Sequence, residues 1–329
     1  MLPPPGRAGS VTMAAMKRVC VLVWFCVALV ALLGMPGWAP RLAGTRAAGG
    51  PPSLGLQLQP AVDHSMAGRA GAAVVLDVAS GQILAHHRLD IAARTLARPG
   101  STVKPFTLMA LIRSGRTAPR GLLCKRRVRI AGRQLDCSHP RDPRPITEET
   151  ALAYSCNFYF SEAGSSIGGD DLVRTLSNVG LTSITGLAPE EAAGSVRPPT
   201  NVDQSRLLAL GEGNIEVTPL AVASAYRRLA QMRRNDAQGA YEKIFRGLEA
   251  SAAYGMGRLA QPDGLEVAGK TGTASAQAGW THAWFAGYAP AASPEIVVVV
   301  FLERGRGGAD AAPVAGEIFA AYAAARSRK

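Results

Sequence analysis

Ser101 and Lys104 stand three residues apart in the stretch Pro99-Gly100-Ser101-Thr102-Val103-Lys104-Pro105-Phe106. The apolar run Thr107-Leu108-Met109-Ala110-Leu111-Ile112 that follows has no breaker, and predicts a buried helix starting near Ser101. Pro105 is compatible with this, because amides in the first turn of a helix have no internal partner. Residues three apart share a helix face, so the Lys104 amine can reach the Ser101 hydroxyl. A serine becomes a nucleophile beside a base. A lysine becomes a base when burial or a neighbouring cation lowers its pKa. The free amides of the helix start would hold an oxyanion. The same residues also describe an ordinary serine cap with a solvated lysine one turn on. Partners downstream must decide between the two.

Two further groups have matching chemistry. Ser155 and Asn157 follow a predicted short helix over residues 146–154. In an extended or turn conformation, side chains two apart point the same way. A hydroxyl and an amide placed so can orient a substrate amide and relay a proton to or from Lys104. A pair of caps between two helices fits the local sequence equally well. Cys156 between them would point inward as a small hydrophobe. The stretch Val267-Ala268-Gly269-Lys270-Thr271-Gly272-Thr273-Ala274 reads as a strand with glycine inside it, a sign of another backbone close by. Lys270 offers a cation to a carboxylate, and Thr271 and Thr273 offer hydroxyls. An edge strand here would pair with an extended substrate. A lysine on a solvated edge beside a bulge is the plainer alternative.

The elements that must position these groups are also legible. Residues 71–78 and 83–87 predict a hairpin whose first strand is buried on both faces. His86 and His87 at its end have no acidic or cysteine neighbour and read as surface residues. Leu172 to Leu176 reads as helical. Thr218 and Pro219 read as the N-cap and first residue of a helix that packs Leu220, Val222, Ala223 and Tyr226 inward. Residues 281–290 and 295–302 predict two strands extending the sheet from the Lys270 strand, and Pro313 to Ala325 a closing helix.

The chain of 329 residues is 47% hydrophobic and carries a formal charge of +12, which favours anionic partners such as nucleic acid, anionic lipid or an anionic wall polymer. The basic stretch Arg116 to Arg144 has no interleaved aromatics, so it reads as a solvated lobe and not as a nucleic-acid surface. Val19 to Leu33 is an uncharged apolar run behind Lys17 and Arg18. Residues 1–38 are therefore expected to be a cytoplasmic leader and signal anchor, with everything after them outside the cytoplasmic membrane as a single-pass protein. Residues 39–70, rich in Gly, Ala and Pro, read as a linker, and residues 71–326 as the functional domain. Of five cysteines, Cys20 and Cys26 lie in the apolar run. Cys124 and Cys137 flank a two-strand hairpin with its turn at Ala131-Gly132-Arg133, and a disulfide between them is expected outside the cytoplasm. A zinc site from Cys124, Cys137 and His139 lacks a fourth ligand on this reading, so no metal is expected.

Together, Ser101 to Lys104, Ser155 to Asn157 and Lys270 to Gly272 form the ordered set S-x-x-K, S-x-N, K-T-G. With the segments GAAVVLDVASGQILA, RPGSTVKPF, ALAYSCNFYF, TGLAPEEAAG, GEGNIEVTPL, AGKTGTA and HAWFAGYAP, the chain resembles the transpeptidase domain of class B penicillin-binding proteins over roughly residues 71 to 322. The resemblance implies an α/β (α+β) fold: a five-stranded antiparallel sheet flanked by helices, beside an all-helical lobe, as in the serine β-lactamases. It implies Ser101 as nucleophile and Lys104 as its base, with Ser155 and Asn157 relaying a proton and holding substrate. The amides of Ser101 and Thr273 would form the oxyanion hole, and Lys270, Thr271, Gly272 and Thr273 would bind the terminal carboxylate. The implied substrates are D-Ala-D-Ala stem peptides of peptidoglycan and, covalently, β-lactam antibiotics, with no cofactor. Only Arg41 to Ala70 stand where class B members carry a long pedestal, which leaves open whether a partner replaces it; a glycosyltransferase or a division or sporulation protein is the kind of partner the resemblance implies. A β-lactamase or D,D-carboxypeptidase shares the three motifs, but Ala192-Ala193-Gly194 after Glu190 and Glu191 does not match the setting of a deacylating glutamate. A non-catalytic wall-binding component is the remaining alternative.

Overall fold

The computed structural model describes residues 54–116, 121–141, 144–276 and 279–328. The expected anchor, Cys20 and Cys26 lie outside the described residues. Among the described residues no helix is long and apolar enough to cross a membrane.

The order along the chain is α1 (Leu54–Met66), β1 (Gly71–Asp77), β2 (Ile83–His87), α2 (Leu89–Arg94), a 3-10 turn (Gly100–Val103), α3 (Lys104–Arg113), β3 (Arg129–Ile130), β4 (Arg133–Gln134), α4 (Glu148–Ala153), α5 (Asn157–Ser166), α6 (Gly169–Asn178), β5 (Ser195–Val196), α7 (Val202–Ala209), β6 (Ile215–Glu216), α8 (Pro219–Asn235), α9 (Glu242–Ala253), β7 (Ala268–Ser275), β8 (Thr281–Ala289), β9 (Ile296–Leu302) and α10 (Ala312–Arg326). The main sheet has the order β2-β1-β9-β8-β7 and is antiparallel throughout. β9 reads Ile-Val-Val-Val-Val-Phe-Leu and is buried along its whole length, because both faces are covered.

Side-chain alternation divides the sheet between two cores. Val74, Leu76, Val297, Val299, Phe301 and Trp284 face one core, which also holds α3, α8 and the helical lobe. Val75, Val298, Val300 and Phe285 face the other, beneath α1 and α10. The short β3–β4 hairpin turns at Ala131-Gly132 as the sequence predicts, both residues having positive φ. Thr218 caps α8 by accepting from the Ala221 amide at 3.1 Å, with Pro219 next.

The linker reading fails over Leu54–Met66, which form α1 despite Pro60 inside the helix. Leu58, Val62 and Met66, four residues apart, are fully buried against the sheet. Burying three such side chains contributes about 1.5–3 kcal/mol each, which outweighs an interior proline's cost of about 3 kcal/mol. The folded domain therefore begins well before residue 71.

Candidate active site

Ser101 lies in the 3-10 turn that leads into α3, and is partly exposed. The sequence places the helix start at Ser101; the structure has a tighter turn there, and the regular helix begins at Lys104. Three contacts fix the turn. The Gly100 amide donates to the Gly211 carbonyl at 3.0 Å. The Thr102 hydroxyl donates to the Pro99 carbonyl at 2.8 Å. The Tyr226 hydroxyl, reaching from α8, donates to the Thr102 carbonyl at 2.8 Å.

The turn packs directly on β7, the edge strand. A Cβ added to Gly272 would lie 2.8 Å from the Pro99 carbonyl oxygen and 2.9 Å from Thr102 Cγ2. Gly272 is thus the close-approach glycine that the strand pattern suggested. Gly211 does the same from the other side: its φ is +72°, and a Cβ there would sit 2.1 Å from the Gly100 carbonyl oxygen. No side chain fits either gap, so both glycines hold the serine turn against the strand.

Lys104 is completely buried. Its amine donates to the Ser155 carbonyl at 2.9 Å, to Ser155 Oγ at 3.2 Å and to Asn157 Oδ1 at 2.6 Å. It also lies over the Phe160 ring, 5.2 Å from the centroid. Burial pulls its pKa down from 10.5 to about 8, with the partial counterweight of nearby thiols and Glu212. The hydrogen bond from Lys104 to Ser101 that the sequence suggests is not formed among the described residues, since three acceptors already use the three ammonium protons. A neutral Lys104 keeps two protons for those acceptors and has one lone pair able to accept a proton.

Ser155 holds the left-handed conformation, φ +54°, which is costly for a residue with a Cβ. That backbone bend points both its carbonyl and its hydroxyl at Lys104. Cys156 then caps α5, accepting from the Tyr159 amide at 3.4 Å. Asn157 is held by a bond from Nδ2 to the Leu135 carbonyl at 3.0 Å.

Lys270 is also fully buried, its amine donating to the Thr271 carbonyl at 3.1 Å. Burial lowers its pKa well below the ordinary value, and the charge of Lys104 lowers it further. Two buried lysines in one cleft repel each other, so an arriving carboxylate would relieve them. Thr271 is buried and Thr273 exposed at the strand edge, where its hydroxyl accepts from the Gly307 amide at 3.0 Å. The three motifs, scattered over 170 positions of sequence from Ser101 to Lys270, thus meet at one sheet edge.

Sequence reasoning missed a strut at that edge. Glu212, nearly buried, is paired with Arg133 and accepts from the Ser275 amide at 2.9 Å. Arg133 also donates to the Glu212 carbonyl at 2.8 Å and to Ser275 Oγ at 2.9 Å, so it ties the β3–β4 hairpin to the end of β7. The quoted segment GEGNIEVTPL contained this glutamate, but nothing in its spacing named a partner. Cys124 and Cys137, the pair expected to form a disulfide, are free thiols with sulfurs 3.6 Å apart, and Cys156 Sγ lies 3.5 Å from Cys124 and 3.8 Å from Cys137.

The penicillin binding protein transpeptidase domain family matches residues 71–322. The chain belongs to that family. Within it, the chain is 26% identical over 259 residues to the peptidoglycan D,D-transpeptidase PbpA of Mycobacterium tuberculosis, covering 66% of this chain and 53% of that protein. It is 26% identical over 265 residues to the stage V sporulation protein D of Bacillus subtilis, covering 67% and 41%. The transpeptidase domain here thus spans about half the length of the curated relatives it matches. The fold is that of penicillin-binding protein A from M. tuberculosis, solved as an imipenem acyl-enzyme complex, with a TM-score of 0.71 at 22% identity over 81% of this chain and 78% of that one. Pseudomonas aeruginosa PBP2, solved with WCK 5153, superposes with a TM-score of 0.70 at 22% identity, covering 81% and 74%.

Proposed function

We propose that this chain is a membrane-anchored serine D,D-transpeptidase that cross-links peptidoglycan and is acylated by penicillin. One observation carries the reading: a fully buried amine, with its pKa brought to about 8, sits one turn from a partly exposed serine and is held by Ser155 and Asn157.

The steps follow from the placement of these groups. Ser101 Oγ attacks the carbonyl carbon between the two D-alanines of a stem peptide, and its proton passes to Lys104. The developing oxyanion takes hydrogen bonds from the amides of Ser101 and Thr273. The proton moves from Lys104 through the Ser155 hydroxyl to the leaving amine, the C–N bond breaks, and the terminal D-Ala departs. Lys270, with the hydroxyls of Thr271 and Thr273, binds that residue's carboxylate. An amine of a second stem peptide then attacks the ester on Ser101. It gives up one proton, Ser101 regains one, and the cross-link forms. The relative named above as a D,D-transpeptidase and an acyl-enzyme neighbour support this route. The anchor at residues 19–33, an extracytoplasmic domain and a glycosyltransferase or division or sporulation partner belong to the same proposal.

Among the described residues, neither glutamate of the Glu190-Glu191 pair is free to activate a water for hydrolysis. Glu191 is committed to its own loop, accepting from the amides of Thr185, Leu187 and Ala188 and from the Thr185 hydroxyl. Glu190 points outward to pair with Arg94. The test is a donor stem peptide and an acceptor amine. Cross-linked product should exceed the hydrolysed stem peptide shortened by one D-Ala in the wild type, and both should vanish in Ser101→Ala. Fast turnover of a chromogenic β-lactam would instead make the chain a hydrolase.

A further inference from the structure

The cluster behind the Ser155–Asn157 turn contains more than a stray thiol. Cys124, Cys137, His139 and Cys156 bring one ligand atom each to within 4.8 Å of all the others. The sulfur–sulfur separations are 3.6 Å (Cys124–Cys137), 3.5 Å (Cys124–Cys156) and 3.8 Å (Cys137–Cys156), and Cys124 Sγ lies 3.5 Å from His139 Nε2. A tetrahedral zinc with Zn–S near 2.3 Å and Zn–N near 2.0–2.1 Å would have S···S edges of about 3.8 Å and S···N edges of about 3.6 Å. The four atoms thus stand close to the corners that such an ion requires.

The surroundings match. His139 Nδ1 lies 2.7 Å from the Pro140 carbonyl, which fixes the proton on that nitrogen and leaves the Nε2 lone pair facing the sulfurs. Each sulfur receives a backbone amide: Arg126 N on Cys124 at 3.3 Å, Phe158 N on Cys137 at 3.4 Å and Tyr159 N on Cys156 at 3.4 Å. Such donors stabilise thiolate and not thiol. His139, Cys137 and Cys156 are buried, while a cleft of about 650 Å³ lined by Cys124, Cys137 and His139 gives an ion a way in.

We propose that these four residues form a closed structural zinc site, and that the ion locks the Ser155–Asn157 turn onto Lys104. Binding releases the three thiol protons to solvent. Thiolate and imidazole ligands select zinc over magnesium or calcium. With four protein ligands no position is open for substrate, so the ion takes no part in the acyl transfer. Its effect comes through Cys156, whose two chain neighbours are Ser155 and Asn157. The metal clamps the strained turn from behind, and also fastens the β3–β4 hairpin that carries Leu135, the anchor of Asn157, and Arg133. In an oxidising compartment the competing fate is a disulfide between two of the three cysteines.

The test uses the full-length chain in detergent, purified under reducing conditions without chelator, with zinc counted by elemental mass spectrometry. The proposal expects about one zinc per chain. The ion should persist in Ser101→Ala and in Cys20→Ser/Cys26→Ser, and be lost in Cys137→Ser and Cys156→Ser. Cobalt exchanged into the wild type should give the strong visible bands and sulfur charge transfer of a tetrahedral thiolate site, a readout that needs no variant to fold. Stripping the ion should slow labelling by a fluorescent penicillin roughly tenfold or more, through loss of positioning. Less than about one zinc in ten chains after zinc is supplied overturns the proposal. A weak octahedral cobalt spectrum, or two thiols found oxidised to a disulfide in protein isolated without reductant, does the same. Metal content does not depend on whether Ser101 is acylated, so failure of the enzymatic reading would leave this result standing.

Discussion

Acylation of Ser101 should speed up as the pH rises from 6 to 9. Burial holds the Lys104 amine down to about 8, and only the neutral amine can take the serine proton. With that pKa the neutral fraction is about 0.01 at pH 6, about 0.1 at pH 7 and about 0.9 at pH 9. The second-order rate constant for a fluorescent penicillin should therefore climb roughly tenfold for the unit from pH 6 to 7. It should climb about tenfold again by pH 9, bending near pH 8. The sign follows from the cause: desolvation disfavours the charged amine, so the reactive form is already gaining ground below the lysine's ordinary range. In Lys104→Arg the group stays protonated at every accessible pH, and the rate should fall by about 10²–10⁴ with the slope gone. Stopped-flow fluorescence over the pH series measures both. A wild-type profile flat or falling between pH 6 and 8 would refute the role given to Lys104. A slope retained in Lys104→Arg would place the base elsewhere.

Three other outcomes follow from the same geometry. Gly272→Ala puts a methyl against the Pro99 carbonyl and Thr102, so the serine turn must shift from the strand; labelling should slow by about tenfold or more while circular dichroism stays native. Tyr226→Phe removes the hydroxyl that holds the Thr102 carbonyl and should cost about 1 kcal/mol, read as a lower urea midpoint with a proportionally smaller effect on labelling. Because the free Lys270 amine is depressed well below its ordinary pKa, binding of a carboxylate ligand to Ser101→Ala should take up a proton. Calorimetry in buffers of different ionisation enthalpy detects the uptake, and it should be absent in a Ser101→Ala/Lys270→Met double variant.

Much of this was legible in the chain before any coordinates. Ser101, Lys104, Ser155, Asn157 and Lys270 carry chemistry that few other residue types supply, and Thr218-Pro219 and the valine run of β9 announce their elements through capping and burial. The shortfalls have physical causes. Pro60 and the glycine-rich approach disguised α1, whose stability comes from packing Leu58, Val62 and Met66 on the sheet and not from local propensity. Cys156 looked like a lone small hydrophobe because its three partners lie upstream in a hairpin that only the fold brings alongside. Glu212 and Arg133 likewise lie 79 residues apart in the chain and meet only in the fold.

The central claim is that Ser101 is the acylated residue. Mass spectrometry of the penicillin-treated chain tests it most directly. The account predicts one added antibiotic mass per chain, confined to the tryptic peptide Thr95–Arg113, which stays whole because proline follows both Arg98 and Lys104. The adduct should be absent from Ser101→Ala. An unmodified wild type, or an adduct on any other peptide, would contradict it.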